Sequence, residues 1–374
     1  VINTRRVGAA PDYNCSKFSD SLKTLCESNQ TGITDIDYAV RYTQQNKSFD
    51  FGFLGASEAD EQFSQGKDFY SVRARKNSDN YSIGYLGTYT DRPVLDRNAD
   101  VHSLDLVYRP SDKLRIDTIF ITSKIDQGIG DINKSGDAFR FRLVASPRKG
   151  RWHDVGIFFF DEDTDINDMG YQITNNWLFA GNQNGLKFSD FDESSIFLSQ
   201  EYEVGLAYEA NADLNKSSHS TYLTFKSTFK NTSFIEFTNF YRPSSKDFWV
   251  TRGNVDSPYI KKPENYGTMF QFKGPSKDFF NYFIEVKREK GSQWSFSALG
   301  IANSLTAKVD FSPKDNLNFS LMHQHVTENN WLNWIQDNLL GIYKNKKQRT
   351  TVASLNWFGG DKHELRMKAQ MVAF

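Results

Sequence analysis

The sequence has no apolar run that approaches the roughly eighteen residues of a membrane-spanning helix. This absence excludes a transmembrane helix but not a membrane β-barrel, whose strands hide their lipid-facing residues by alternation. An excess of charge of one sign is also missing, because 45 basic and 46 acidic residues leave a net charge of −1. Without a whole-chain field to attract nucleic acid, we expect no nucleic-acid partner.

Cysteine and histidine are scarce, with 2 Cys and 6 His among 374 residues. Cys15 and Cys26 have a spacing compatible with one small disulfide loop in an oxidising compartment, and two free thiols fit the sequence nearly as well. His323 and His325 lie two residues apart and could present two imidazoles to a metal, but no third ligand is identifiable. Because no Ser or Asp partner for a hydrolytic histidine is implied, we assign no catalytic residue and expect a non-enzymatic protein.

Aromatic residues, by contrast, are abundant at 15% of the chain, with 32 Phe, 17 Tyr and 7 Trp. Apolar and polar residues alternate with a period of two, as in residues 81–85 (YSIGY) and 139–143 (FRFRL), which is typical of strands between apolar surroundings and water. The segments run about ten residues, the length that a tilted strand needs to cross a bilayer. The sequence therefore predicts an all-β fold, a transmembrane antiparallel up-and-down β-barrel of about 18 or more strands.

A short proline-containing turn recurs along the chain, and each copy marks a strand end because proline cannot donate to a sheet ladder. Counting strands, with one at 247–252, predicts that these prolines share one rim. The longer connections, including Thr164 to Leu198, are expected at the other rim, which is the asymmetry of bacterial outer-membrane barrels. The prolines are Pro110, Pro147, Pro243, Pro275 and Pro313.

Charged residues of both signs occupy the strand positions that alternate with the apolar ones. Charges cannot face hydrocarbon, so in a barrel they line a wet or salt-bridged lumen. The alternative is the solvated outer face of a soluble sheet. The predicted lumen-lining residues are Arg115, Asp117, Arg140, Arg142, Glu201, Glu203, Glu236, Glu285 and Lys287.

Three short motifs resemble a known bacterial family, domain of unknown function 5916: residues 4–8 (TRRVG), 167–171 (NDMGY) and 362–370 (KHELRMKAQ). The resemblance implies an outer-membrane barrel region that commonly follows a carbohydrate-binding module of the family-nine type. We accordingly divide the chain into an N-terminal lead-in segment, 1–34, and an outer-membrane β-barrel, 35–374. The upstream module is absent and the family usually continues further, so we expect a fragment open at both ends.

Two connecting segments have chemistry of their own. In the acidic stretch 161–168, Asp161, Asp163 and Asp165 could share a hard cation such as Ca²⁺, although a solvated acidic loop is the simpler interpretation. Trp331 and Trp334 lie in an aromatic and aliphatic segment with hints of helical spacing. That segment could form a loop cap over the barrel mouth, enter the outer leaflet or stack on sugars.

These observations support three hypotheses in descending order. The first is a porin-like, non-enzymatic outer-membrane barrel of a Gram-negative bacterium that passes or handles a polar solute, plausibly an oligosaccharide. The second is an outer-membrane hydrolase that acts at the barrel rim. The third is a soluble, β-rich glycan-binding protein or an anchoring scaffold for an upstream carbohydrate-binding module. The expected partners of the barrel are outer-membrane lipid and lipopolysaccharide.

Overall fold

The structure is a computed structural model that describes residues 6–30, 32–172, 175–211, 216–247, 260–277, 279–290, 300–336, 339–360 and 362–374. Within these ranges the chain is mainly β-strand, with one short α-helix and short 3-10 turns, and eighteen strands belong to one antiparallel sheet. No helix in the described ranges is long and apolar enough to cross a membrane.

The strands follow one another with few interruptions. They are β1 Ile36–Gln45, β2 Phe49–Glu58, β3 Asp68–Asn77, β4 Tyr81–Arg92, β5 Arg97–Ser111, β6 Leu114–Gln127, β7 Ile132–Arg148, β8 Arg151–Phe160, β9 Trp177–Phe188, β10 Phe197–Ala210, β11 Lys216–Phe229, β12 Phe234–Arg242, β13 Ser245–Asp247, β14 Ile260–Lys262, β15 Asn265–Lys273, β16 Phe280–Lys290, β17 Ile301–Lys314, β18 Leu317–Glu328, β19 Trp331–Gln336, β20 Leu339–Tyr343, β21 Lys346–Phe358 and β22 Glu364–Ala373.

The pairings described for the large sheet each join a strand to the next strand of that sheet along the chain, for example β4 to β5 and, past the separate hairpin β13–β14, β12 to β15. The predicted antiparallel, up-and-down order of about eighteen strands is therefore confirmed. Short polar turns make it possible: Asn46 Oδ1 accepts hydrogen bonds from the backbone of Ser48 and Phe49, and Asp96 and Asp131 adopt positive φ.

The chain forms two compact units. The first comprises Val1–Ala145, Val155–Ala180 and Asn211–Asn215; the second comprises Ser146–Asp154, Gly181–Ala210 and Lys216–Phe374. In each unit we call "turn end" the end with the short turns, 46–48, 78–80 and 112–113 in the first and 149–150, 230–233 and 315–316 in the second. The opposite "loop end" carries connection 161–176 in the first unit and connections 243–264 and 329–345 in the second.

The prediction that all five prolines share one rim was wrong for Pro243. Pro243 follows β12 and Pro275 follows β15, and these strands are antiparallel partners, so the two prolines lie at opposite ends of the second unit. Pro147, Pro275 and Pro313 lie at its turn end, and Pro110 lies at the turn end of the first unit.

The strand count failed at two places that compensate. The predicted loop Thr164 to Leu198 contains β9, which the alternation missed because residues 181–185 (GNQNG) are polar or glycine on both faces. The predicted strand 247–252 lies almost wholly outside the described residues, and Ser245–Asp247 pairs with Ile260–Lys262 in a separate two-stranded sheet. The prediction missed β9 and placed one extra strand, 247–252, between β12 and β15, which pair directly. The total number of strands was therefore right, but the strands between these two places were assigned the wrong direction.

The segment with Trp331 and Trp334 is a β-hairpin, so the hint of helical spacing was misleading. β19 pairs with β20 from Trp331 opposite Tyr343 to Gln336 opposite Leu339. This hairpin, 331–343, connects β18 to β21, which are themselves paired. The tryptophan side chains lie outside the described part of the structure, so a role as a cap stays a prediction.

The N-terminal segment, defined here as residues 6–30, is closed by a disulfide. Cys15 and Cys26 are bonded with their Cα atoms 5.6 Å apart, and Cys26 is fully buried. Helix α1, Asp20–Ser28, begins after Ser19 and carries Cys26 on its inner side. Of the two states that the sequence left open, the structure contains the disulfide.

Replacing both cysteines with serine is expected to loosen this segment and leave the sheet folded. The bond joins residues 11 apart, and a loop of this size stabilises its fold by about 2 to 4 kcal/mol, chiefly by restricting the unfolded chain. Amide hydrogen exchange in α1 should therefore quicken, while β4 and β5 amides keep their protection. Unchanged protection of α1 would contradict this expectation.

Candidate functional site: the charged face and the N-terminal segment

Alternation gives the sheet of each unit two contrasting faces. In the first unit, the apolar face presents large side chains that are between 37% and 57% exposed. Their register makes the surface continuous, because Ile83 lies opposite Leu106 and Tyr85 opposite Leu104. The side chains are Tyr81, Ile83, Tyr85, Leu104, Leu106, Tyr108 and Phe120. A contiguous apolar surface of this kind marks an interface with a partner or with lipid.

The predicted lumen-lining residues lie on the opposite, charged face of their units. In the first unit the set is Arg115, Asp117, Arg140 and Arg142, with Asp117 opposite Arg142 in the register. The neighbouring Phe139 and Phe141 point to the apolar face. In the second unit the set is Glu201, Glu203, Glu236, Glu285 and Lys287, which alternate with Tyr202, Val204 and their equivalents. Their lining of a lumen stays a prediction.

Most of these charges are compensated by a neighbour on the same face. Arg115 Nε lies 2.9 Å from Asp117, and Arg73 forms a bidentate pair with Asp105. In the second unit Lys226 Nζ lies 3.2 Å from Glu236, and Lys287 lies 2.8 Å from Glu285. The charged faces are therefore polar and hydratable without a large excess of either sign.

An ion-pair network holds the N-terminal segment to the sheet in the first unit. Arg92 binds Asp12 of the segment through two hydrogen bonds of 2.6 and 2.7 Å, and its third donor group reaches Asp168 at 2.9 Å. Arg97 binds the same Asp168 at 2.6 and 3.1 Å and also Asp165 at 3.0 Å. Asp168 is thus the centre of the network, between two arginines at the β4–β5 turn.

The charge on Asp168 is strongly favoured. Burial alone would raise its pKa, but hydrogen bonds and charges from Arg97 and then Arg92 outweigh burial and hold the pKa below its ordinary value. A depressed carboxyl pKa stabilises the folded arrangement above the ordinary carboxyl range, and this contribution is lost as pH falls through the depressed value. The pKa shift therefore favours the network at neutral pH and predicts that acid weakens it.

A second set of contacts holds the N-terminal segment at the connection between β2 and β3. Glu58 Oε1 accepts a hydrogen bond from the backbone of Gly8 at 2.9 Å, and Lys67 Nζ donates to the carbonyl of Ala10 at 2.9 Å. Glu58 and Lys67 are themselves paired at 3.3 Å and nearly inaccessible. Two buried charges that satisfy each other and the segment's backbone fix its position on the charged face.

The motif NDMGY, residues 167–171, supplies the other side of this docking site. Asp168 carries the ion pairs, while Met169 is 3% exposed and packs with Ala56 and Phe69. A Cβ on Gly170 would stand 2.5 Å from the carbonyl oxygen of Ile166, so only glycine fits the turn. Residues 167–171, which the sequence identified only as a family motif, therefore help to hold the N-terminal segment on the sheet.

The three candidate calcium ligands are engaged separately. Asp161 accepts a hydrogen bond from the backbone of Asp163, Asp163 lies 3.9 Å from Lys134, and Asp165 binds Arg97. No three potential ligand side chains stand together anywhere in the described residues. The structure does not bring these carboxylates together, and a calcium site here has no further support.

Aromatic rings gather beside Arg140 on the charged face of the first unit, a feature that sequence reasoning missed. The guanidinium of Arg140 lies 5.1 Å from the ring centre of Phe158, and the Trp177 ring lies 5.9 Å from Phe179 and 6.3 Å from Phe160. Within the described residues, Arg140 Nε and Trp177 Nε1 have no hydrogen-bond partner. We call Arg140, Phe158, Phe160, Trp177 and Phe179 the aromatic–arginine cluster.

The two histidines considered as metal ligands lie on the apolar face of the second unit. His323 is opposite Ala307 and Thr351, and its Nδ1 is 2.9 Å from Thr351 Oγ1. His325 is opposite Leu305 and Arg349. Their neighbours are not ligand residues, so the structure gives no support to a metal site there.

The strand order and the two contrasting faces define an all-β meander of antiparallel strands. Residues 71–357, well over half of the chain, match the model of the family described as Domain of unknown function (DUF5916). The chain therefore belongs to the DUF5916 family, and the resemblance inferred from its motifs is confirmed. No curated protein matches the chain.

Solved structures of bacterial outer-membrane β-barrel proteins are similar to the chain at low identity. OccK11 (OpdR) of Pseudomonas aeruginosa matches with 6% identity, 90% of this chain, 93% of its own chain and a TM-score of 0.44. OccK2 (OpdF) of Pseudomonas aeruginosa, in complex with glucuronate, matches with 12% identity over 87% of this chain and 90% of its own chain, at a TM-score of 0.43. The siderophore receptor PirA from Acinetobacter baumannii matches with 9% identity over 89% of this chain and 62% of its own chain, at a TM-score of 0.46.

Proposed function

We propose that this chain forms a β-barrel in the outer membrane of a Gram-negative bacterium and passes or handles a polar solute, with oligosaccharide as the favoured class. The observation that carries the proposal is the pair of faces. Large apolar side chains lie exposed on one face, whereas ion pairs and a docked segment occupy the other. A soluble sheet would bury the first face and hydrate the second.

The strand lengths agree with a membrane-spanning sheet. Strands such as β10, β11 and β17 have 14 residues each, more than the roughly 9 to 11 that a tilted strand needs to cross the hydrocarbon. Most large apolar side chains on these strands alternate with polar ones, as lipid on one face and a lumen on the other require. The extra length places the strand ends in the headgroup region and beyond.

The membrane proposal is tested by folding. The purified full chain is expected to stay soluble only in detergent, and the folded form should migrate differently from the heated form on a gel. Solubility and full β content in plain buffer would overturn the proposal. Reconstitution into planar bilayers then tests for solute passage, and an absence of conductance and solute flux would overturn that part.

The aromatic–arginine cluster supports a sugar as the solute. Aromatic faces stack on the apolar faces of sugar rings, while unsatisfied donors such as those of Arg140 and Trp177 can bind hydroxyl or carboxylate oxygens. The cluster is half-buried on the charged face, where a solute in a lumen would pass.

Replacing Trp177 with leucine is expected to weaken oligosaccharide binding several-fold, because an aromatic stacking surface and one donor are lost. The measurement is titration of the detergent-solubilised chain with neutral and acidic oligosaccharides. Trp357→Leu, on the apolar face at the turn end, is the matched control and should bind normally. Equal affinities of the two variants would remove the cluster from the solute path.

The hairpin 331–343 is proposed to cover the mouth and control access. A short Gly-Ser link in place of residues 331–343 should leave β18 and β21 paired, because their register ends at Glu328 opposite Lys346. Conductance in reconstituted bilayers is expected to rise and its solute selectivity to fall. Unchanged conductance and selectivity would contradict a gating role.

A further inference from the structure

The apolar face of the second unit changes character at its loop end. The register places Arg288, Asn303, Thr327 and Lys347 side by side on β16, β17, β18 and β21. The next row toward the turn end contains Val286, Leu305, His325 and Arg349. We call Arg288, His325, Lys347 and Arg349 the basic rows.

Within the described residues of these four strands, no carboxylate lies on the face of the basic rows; Glu264, beside β15 on the same face, is 3.8 Å from Lys290. The carboxylates of the four strands, Glu285, Glu289, Asp310 and Glu328, all occupy the charged face. There they are matched by cations such as Lys287, Lys308 and Lys346, at 2.8, 2.9 and 3.3 Å from their partners. Arg288, Lys347 and Arg349 are exposed.

The position of the basic rows matches the border of a membrane. Toward the turn end the same face becomes apolar through Val309 and Leu321, then Phe311 and Phe319, and ends near Trp357. Lys347 and Trp357 are ten residues apart on β21. That span is about 33 Å along the strand and about 25 Å in depth when tilted, the height of the apolar band of outer-membrane barrels.

The spacing of the basic side chains suits phosphate groups. His325 and Arg349 are on adjacent strands, about 5 Å apart, and Lys347 lies two residues from Arg349 on the same face, about 7 Å away. An arginine fork binds phosphate oxygens in pairs and lysine adds a point charge. Arg288 extends the rows to about 14 Å across four strands, enough for more than one phosphate.

We propose that the basic rows bind the phosphates of lipopolysaccharide in the outer leaflet. The inference rests on the proposed outer-membrane function, because longer loops of such barrels face the exterior. Lipopolysaccharide is favoured over a zwitterionic phospholipid because its head group carries several uncompensated phosphates, which complement basic residues whose own four strands place no described carboxylate on that face. Acyl chains of the same molecule then lie on Leu305, Val309 and Leu321, which are 46%, 37% and 52% exposed.

The test compares two double variants of the full chain with the same loss of charge. Lys347→Gln with Arg349→Gln removes cations from the basic rows, and Lys226→Gln with Lys308→Gln removes them from the charged face. Folded proteins in detergent are titrated with lipopolysaccharide, with enzymatically dephosphorylated lipopolysaccharide and with a zwitterionic phospholipid, and bound lipid is counted by native mass spectrometry.

The unaltered chain and the charged-face variant should retain phosphorylated lipopolysaccharide, and the Lys347 and Arg349 variant should bind it at least about ten-fold more weakly. Equal binding by both variants, or equal retention of dephosphorylated or zwitterionic lipid, would overturn the inference. Heat-modifiable folding and conductance are measured in parallel. If the unaltered chain shows neither heat-modifiable folding nor conductance, the proposed function is refuted. If it folds and conducts but does not selectively retain phosphorylated lipopolysaccharide, only the role of the basic rows in phosphate binding is refuted.

Discussion

Leu321→Arg is expected to lower the stability of the folded chain in a bilayer by about 2 to 4 kcal/mol, the cost of an arginine on the lipid face near mid-depth. Leu321 is 52% exposed and lies on the apolar face of the second unit between Val309 and Ala353. Denaturant unfolding from lipid vesicles measures the change. The same substitution on a hydrated surface would shift stability by no more than about 0.5 kcal/mol.

Ser320→Arg is the matched control, one residue away on the charged face. Asp310 lies opposite Ser320 in the register, so the new guanidinium gains a partner and stability should change little. A large loss for Ser320→Arg together with a neutral Leu321→Arg would show that the faces are reversed. Two neutral substitutions would show that neither face meets lipid.

Asp168→Ala is expected to release the N-terminal segment from the sheet. The substitution leaves Arg92 and Arg97 without their shared carboxylate, and removing one partner of a buried ion pair costs about 3 to 5 kcal/mol. Hydrogen exchange of residues 6–18 and limited proteolysis in the same region measure the release. We expect rapid exchange there and little change in β10 to β18, which lie in the second unit.

Acid should reproduce the effect in the unaltered chain. Because the pKa of Asp168 is lowered, protection of the segment should persist above about pH 4, the ordinary carboxyl value, and fall at lower pH. In Asp168→Ala, protection should be low on both sides of that range. Asp163→Asn is the control within the same loop, because its contact with Lys134 is 3.9 Å and about half exposed. Equal loss in both variants would contradict a central role for Asp168.

The alternation of residues predicted the sheet because it is a local property. Phe139 and Arg140 alternate over a single strand, and the register of β6 and β7 then carries the same faces to Asp117 and Phe120. Pro243 shows the limit of the method. Its end of the sheet depends on the number of strands before it, so one unrecognised strand, β9, was enough to misplace it.

The docking of the N-terminal segment could not be predicted, because its partners are distant in sequence. Asp12 meets Arg92 and Arg97 meets Asp168, at separations of 80 and 71 residues. An acidic loop with Asp161 to Asp168 has the same composition whether it is solvated, binds calcium or pairs with arginines. The role of Trp177 was also not predictable from the sequence, because the aromatic–arginine cluster depends on β9, in which apolar and polar residues alternate only weakly.

The meander also constrains how such a chain can change in evolution. Because neighbours in sequence are neighbours in the sheet, a duplicated or deleted hairpin adds or removes two strands and leaves every later connection at its original end. Gain or loss of one strand would move all later connections to the opposite end, as the misplaced Pro243 illustrates. Relatives of different length should therefore differ by whole hairpins, with β17–β18 and β15–β16 as natural units of insertion.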